Sequence, residues 1–448
     1  MKRTRKLEKA RTLETIPNAF GQEPLTKEDS AFYYGNTMKA RTGKAYDSPI
    51  ADIMDACEIP SDHNAMLLLG HRGCGKSTEL NQMSVQLEYR GYPVRTILCA
   101  DYINLLNPET DDLLILMADA LLDIAKEKGV FVEPRTLDTL LHFWQEEETT
   151  WKRVDGSEIS VKGEASAKAS LFSLAELAAS LKSKLKFSEE SVTVFRGKVR
   201  NRSGEWVAAL ETIAERITEA EPGCQPVIIF EDLDKLDPES AWKVFYSRAS
   251  TLAGFHFPII YTFPIALSYS PKFGTLTGYF TVHTFPMIKL KNIDNSRNAD
   301  GYEVMRRIVY LRAEERLFNT QETRPDPDGN PRDVLSLIIE KTGGSLRDMF
   351  RVINDCSRTA RRRNSREIQM EDADLALMKL SRDLTRRFAG EQYKFLKEIY
   401  EGDHKRIRSQ ETLLAMLQAG AVLEYNGERW HNVHPLVEDY LRELGFLQ

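Results

Sequence analysis

Paired cysteines, long apolar runs and a clear excess of either charge are all missing from this 448-residue chain. Its five cysteines (Cys57, Cys74, Cys99, Cys224, Cys356) are scattered, odd in number and form no CxxC pair. That excludes a disulfide framework and a cysteine-based zinc site, and it leads to the expectation of a reducing, cytoplasmic setting. No stretch approaches the roughly 18 apolar residues of a membrane span. The richest run, Phe257 to Tyr269, is interrupted by Pro258, Thr262 and Pro264. The 61 Lys and Arg against 67 Asp and Glu leave a net charge of −6, so any nucleic-acid contact has to come from a local basic patch. The N-terminus is basic (Lys2, Arg3, Arg5, Lys6, Lys9, Arg11), but no apolar segment follows it as in a signal peptide. It reads either as a solvated tail or as an arm that binds a partner or nucleic acid.

What is present is an ordinary globular composition, 42% hydrophobic and 29% charged, in a chain too long for one core. Ala65 to Leu69 is a short apolar run ending at Gly70, as a buried parallel strand would. A helix is expected from Lys76 to about Arg90, a strand over Pro93 to Cys99 and a helix over Asp111 to Lys126. Further strands are expected at Pro226 to Phe230, Phe257 to Phe263 and within Tyr279 to Leu290, with a helix over Ser240 to Leu252. Strands alternating with helices argue for a parallel α/β sheet. From Gly301 the pattern turns helical: 301–318, 333–341, 345–363 and 371–387. The end of the chain predicts helices at 391–402 and 409–418, a hairpin of Ala421 to Tyr425 and Glu428 to Val433 across Asn426-Gly427, and a helix over 435–444. That order is the outline of a winged helix. Residues 145–205 form an insertion in which Leu171, Leu174, Ala178, Leu181 and Leu185 recur at helical spacing. The stripe packs on its own domain or presents a surface helix to a partner or membrane.

Gly70-His71-Arg72-Gly73-Cys74-Gly75-Lys76-Ser77 matches GxxxxGK[ST] in full and is followed by Thr78. Glycines let the backbone turn so that its N–H groups converge on a phosphate, and the helix behind adds its positive end. Lys76 is expected to reach the β- and γ-phosphates of ATP, and the Ser77 hydroxyl to ligate Mg²⁺.

Val227-Ile228-Ile229-Phe230-Glu231-Asp232 is an apolar strand ending in two carboxylates, the second half of such a site. Glu231 is expected to face Mg²⁺ and Asp232 to polarise the attacking water, although the usual order is Asp then Glu; Asp234 and Asp237 are further candidates. Thr262 sits late on the next strand, either near the γ-phosphate or as an ordinary strand threonine. Arg347, in Gly343-Gly344-Ser345-Leu346-Arg347-Asp348, opens a helix after the core and reads as a γ-phosphate sensor or a surface ion pair.

GHRGCGKST, VIIFEDLDK, the GGSLRD helix start and the C-terminal outline together resemble the AAA+/STAND group of ATPases, and EDLDK is similar to the DDLDR-type motif of prokaryotic KAP-like members. The resemblance implies an α/β P-loop NTPase with a parallel sheet, a helical lid and a C-terminal winged helix. It places an arm or linker at 1–45, the ATPase core at 46–290, the lid at 291–387 and the winged helix at 388–448. In STAND proteins a winged-helix histidine contacts ADP; His434, in Val433-His434-Pro435, is the matching residue, with Pro435 where an aspartate is usual. An arginine from a neighbouring subunit often completes such sites, and Arg248, Arg306 and Arg307 are candidates.

The implied function is a Mg–ATP-hydrolysing regulatory switch in a prokaryotic signalling or phage-defence system. It would act as a homo-oligomer or through a separate effector protein, since the chain shows no nuclease, protease or TIR effector. The alternative is a DNA-associated AAA+ ATPase, supported by the patch Arg358, Arg361, Arg362, Arg363 and Arg366.

Overall fold

The computed structural model describes residues 7–59, 64–133, 135–137, 139–140, 196–326, 329–402, 410–425 and 430–447. Lys2 to Lys6, the leucine stripe at 171–185 and the Asn426-Gly427 turn lie outside the described residues.

Five strands carry the sheet: β1 (Ala65–Gly70), β2 (Val94–Leu98), β3 (Val227–Glu231), β4 (Ile259–Pro264) and β5 (Thr281–Thr284). All pair in parallel, in the order β2-β3-β4-β1-β5. Every residue of β1, β3 and β4 is buried, which is why these strands read as unbroken apolar runs: both faces are covered. One face packs against α3 (Thr110–Glu127) and α4 (Ser203–Ala220), the other against α1 (Pro49–Glu58) and α2 (Lys76–Tyr89). From β1 the chain crosses to β2 at one edge, and after β4 it crosses back to β5 at the other. The carboxyl ends of β1, β4 and β3 therefore frame the crevice where ligands enter open α/β sheets. This is an α/β P-loop NTPase architecture with helical regions attached.

After the sheet come α5 (Ala299–Arg312), α6 (Val334–Lys341), α7 (Leu346–Arg362) and α8 (Met370–Thr385). The C-terminal unit is α9 (Glu391–Tyr400), α10 (Gln410–Ala419), the antiparallel pair β6 (Val422–Tyr425) and β7 (Trp430–Val433), and α11 (Pro435–Glu443). Its own core holds Leu396, Ile399, Val422, Val437 and Leu441. Leu423, Tyr425 and Trp430 instead join the core under β1 and α2, so this unit is packed onto the sheet.

Two expectations are corrected. Residues 7–45 are not a polar arm: Ala10, Leu13, Ile16, Ala19 and Phe20 are buried with α5, α6 and α7. The Ala10 N–H also bonds Arg312 O at 2.8 Å. The helix expected over 240–252 is two pieces, Pro238–Phe245 and Ala249–Ala253. It breaks where Arg248 turns to the buried carboxylate of Asp111. All five cysteines are free thiols. Among the described residues no helix is long and apolar enough to cross a membrane.

Candidate functional site

The loop from Gly70 to Ser77 joins β1 to α2. Gly73 (φ 85°) and Gly75 (φ 105°) take left-handed backbone that a side chain would strain, and a Cβ on Gly73 would meet Arg347 Cβ at 2.7 Å. The first N–H groups of α2 have no partner within the helix, so the loop faces the crevice with donors.

Successive loop residues are held by different parts of the chain. His71 Nε2 accepts the Glu424 N–H of β6 at 2.8 Å. Arg72 Nη2 donates to Lys235 O at 2.9 Å, beyond the β3 acids. Gly73 O accepts the N–H groups of Leu346 (3.0 Å) and Arg347 (3.4 Å) at the start of α7. Cys74 O accepts Arg41 Nη2 at 2.8 Å, and Thr78 Oγ1 accepts the Leu25 N–H at 3.3 Å. Loop geometry is thus read by the N-terminal segment, the helical region and the C-terminal unit together.

Lys76 is buried and folds back on the loop, donating to Gly70 O (2.6 Å) and His71 O (3.0 Å) and pairing with Asp234 at 3.0 Å. Burial works against its charge, but Asp234 and Cys74 outweigh it and hold the amine above its ordinary pKa. Lys76 in turn outweighs the burial of Asp234 and keeps that carboxyl below its usual range.

Glu231 is buried, which pushes its carboxyl up to about 7; the Ser77 side chain hydrogen-bonds it and opposes the shift, while Asp234 and Asp232 add to it. Asp232 has left-handed backbone (φ 73°) and its carboxylate faces Lys235. Thr262 Oγ1 accepts the Leu233 N–H (3.1 Å) and donates to Phe230 O (3.2 Å). Its hydroxyl braces the turn that presents the acids.

The structure brings Gly70 to Thr78, Glu231, Thr262 and Arg347 around one crevice. His434 is placed differently. It caps α11, accepting the Leu436 N–H at 3.2 Å, and burial lowers its pKa to about 4 despite Asp348 and Asp439. Its hydrogen bonds go to Ala421, Leu436, Val437 and Glu438, and the contact from the C-terminal unit to the loop comes from Glu424 instead. Of the three trans-acting candidates, Arg248 pairs with Asp111 and Arg306 with Asp333, whereas Arg307 is exposed beside Glu303.

Sequence reasoning missed Arg41. It is only 1% exposed, donates to Cys74 O, Pro286 O (2.5 Å) and Thr37 Oγ1 (3.1 Å), and lies 4.3 Å from the Phe285 ring centre. Holding Cys74 O from behind turns the Gly75 N–H, antiparallel across the same planar peptide, towards the crevice. No local signal marks it, since a lone arginine in a short polar-rich segment reads as surface.

Among the described residues no group of three or more His, Cys, Asp or Glu side chains is arranged to hold a metal. A magnesium carried by a nucleotide needs less, one or two protein oxygens plus phosphate and water. The Ser77 hydroxyl beside a buried carboxyl whose charge lacks compensation fits that donor set. Glu231→Gln tests it in two ways. Between pH about 4.5 and 7 folded Glu231 holds a proton that the unfolded chain has released, so stability falls as pH rises through that window. Without magnesium, Glu231→Gln should therefore melt above wild type at pH 8, the gap closing towards pH 5. In calorimetry its magnesium-dependent ATP affinity should drop about tenfold or more.

No protein-family profile matches the chain, and no curated protein matches it. Solved structures with a similar course include the Aeropyrum pernix ORC2 protein in its ADP form (10% identity, TM-score 0.41, covering 96% of this chain and 99% of that one). Cdc6p from Pyrobaculum aerophilum is 13% identical, with TM-score 0.38 over 93% and 97% of the two chains. The Thermotoga maritima RuvB Holliday junction branch migration motor is 10% identical, with TM-score 0.35 over 92% and 98%.

Proposed function

We propose that this chain binds and hydrolyses Mg–ATP as a regulatory switch, in which the state of the phosphate loop governs how the C-terminal winged-helix-like unit docks. The observation that carries this reading is the His71–Glu424 hydrogen bond, which fastens β6 to the loop itself. Bound Mg–ATP supplies an electrophilic γ-phosphoryl group and a cation that neutralises developing charge. For the protein's part, Lys76 would exchange Asp234 for phosphate oxygens, and Ser77 and Glu231 would hold the cation. Asp232 is the carboxylate left to orient water. Arg347, whose backbone rests on Gly73, would report the γ-phosphate with its side chain. Output passes to a separate effector or to further copies of the chain, in keeping with a signalling or defence role.

Turnover tests the assignment. Asp232→Asn should keep ATP affinity near wild type while phosphate release slows about a hundredfold, the usual contribution of a positioned base. Unchanged turnover there, with the loss appearing in Asp234→Asn, would move the role to Asp234.

The second reading, an ATPase acting on DNA, draws on the surface at 358–366. Arg363 there is committed to Asp372 and Glu371, and Arg358 and Arg361 each face an acid, Asp355 and Glu14. Of the five arginines, Arg362 and Arg366 are exposed without an ion pair among the described residues, fewer cations than the sequence patch offers.

A further inference from the structure

A cavity of about 560 Å³ opens at the C-terminal end of α7, lined by Glu14, Arg358, Arg361, Arg362, Asn364 and Ser365. Basic residues in the last turn of a helix complement its dipole, and that alone accounts for single arginines there. It does not account for three guanidinium groups lining one cavity whose only acid is Glu14. Arg361 lies 3.5 Å from Glu14 and Arg358 2.7 Å from Asp355, whereas the Arg362 guanidinium has no ion pair among the described residues. With Asp355 counted beside Glu14, the surplus is about one positive charge, that of Arg362, in a protein of net charge −6. The space is open to solvent and polar, its arginines exposed, and its volume admits a small molecule. A nucleic-acid backbone needs a track of cations, and here the next one, Arg363, turns away to Asp372 at 2.6 Å.

From this geometry we infer that the cavity is a second anion site, taking a compact phosphate-bearing small molecule, and that its occupancy is transmitted to the phosphate loop. Two continuous elements join the sites. The first is α7, 17 residues and so about 25 Å long, whose first N–H groups bond Gly73 O and whose last turn lines the cavity. The second is the N-terminal segment, which begins in the cavity wall at Glu14. It is pinned to α7 where Asn354 Nδ2 donates to Phe20 O at 2.8 Å. It then reaches α2 at Leu25–Thr78 and at Tyr33–Glu79 (2.8 Å), and the loop through Arg41. An anion that draws Arg361 off Glu14 loosens one end of that segment while its other end holds Cys74.

The site stands independently of the ATP reading; the transmission rests on it. Calorimetry with inorganic pyrophosphate on the full chain, the phosphate loop saturated with ADP, tests both. One pyrophosphate site is expected, weakened about tenfold by Arg362→Ala and lost in the Arg358→Ala/Arg361→Ala/Arg362→Ala variant. Glu14→Gln should tighten it, an opposite sign that no folding defect mimics. ADP and pyrophosphate should change each other's affinity by the same factor. Pyrophosphate heat that survives in the triple variant, or none in wild type, overturns the site. Saturation by duplex DNA with steep salt dependence and no pyrophosphate binding hands it to nucleic acid and overturns it too. Equal ADP affinity with and without bound pyrophosphate overturns the transmission alone, and failure of ADP to bind at all overturns the ATP reading while the triple variant still reports on the cavity.

Discussion

Lys76→Ala is expected to weaken ATP binding by a factor of about a hundred or more, because it removes the one mobile cation that faces both terminal phosphates. The structure adds a condition to this experiment. Lys76 is tied to Asp234 at 3.0 Å, and both are largely shielded from water. Removing the lysine alone leaves a carboxylate unpaired in a dry site, which destabilises by about 3–5 kcal/mol when a buried pair is broken from one side. The decisive variant is therefore Lys76→Ala/Asp234→Asn, in which no charge is stranded. It should fold, melt close to wild type and still fail to bind ATP. Asp234→Asn alone should behave in the opposite way. With its carboxylate partner gone, Lys76 no longer has to abandon an ion pair to meet phosphate, and ATP should bind several-fold tighter. Near wild-type affinity in the double variant would remove Lys76 from the site. Loss of binding in Asp234→Asn would make Asp234 a direct contributor instead of a placeholder for phosphate.

The sequence exposed those parts of the site whose chemistry is local. A glycine-rich loop between a strand and a helix is contiguous, and β3 announces itself because a strand covered on both faces must be apolar until it reaches the crevice. Many element boundaries from Lys76 onward were legible for the same reason, with the last helices within a residue or two of expectation, but α4 (Ser203–Ala220) was not read and the helix expected over 301–318 ends at Arg312. The 240–252 stretch was not, since its break answers to Arg248 and a buried Asp111 well over a hundred positions earlier. The N-terminal segment was hidden by another effect. Its buried residues, Ala10, Leu13, Ile16, Ala19 and Phe20, are spaced out among polar ones in short elements, and their burial partners lie near 300–380. Arg41, and the ion pair made by Asp234 rather than that residue itself, show the limit most plainly. A buried ion is specified by the partners around it, and those are the backbone carbonyls of Cys74 and Pro286 accepting from Arg41 in one case and a distant lysine donating to Asp234 in the other. Backbone groups leave no mark in a sequence, which is also why the contact through the Glu424 N–H was invisible while His434 drew attention.

That contact is expected to set the rate at which ADP leaves. The Glu424 N–H is an obligatory donor and lies buried; His71 Nε2 at 2.8 Å is its acceptor. Burial, reinforced by Lys76 and His431, lowers the His71 pKa to about 3, so the ring is neutral at physiological pH. Because it accepts at Nε2, its proton sits on Nδ1. Around this bond, Tyr425 donates to Gly343 O at 2.9 Å and Tyr269 donates to Glu424 Oε2 at 2.8 Å, so β6 grips the loop, the approach to α7 and the segment after β4 together. His71→Ala would leave the Glu424 N–H buried without an acceptor, a cost of about 1–3 kcal/mol charged to the docked state alone. ADP should then leave roughly 5- to 100-fold faster, and the Glu424 amide should lose hydrogen-exchange protection. His71→Gln, which restores an acceptor, should recover part of both. His434→Ala provides the contrast: loss of its cap should cost about 1 kcal/mol of stability. A larger effect of His434→Ala than of His71→Ala on ADP release, with a shift towards larger oligomers, would place the nucleotide contact at His434. Unaltered ADP release and amide protection in His71→Ala would show that β6 rests on the loop without governing it.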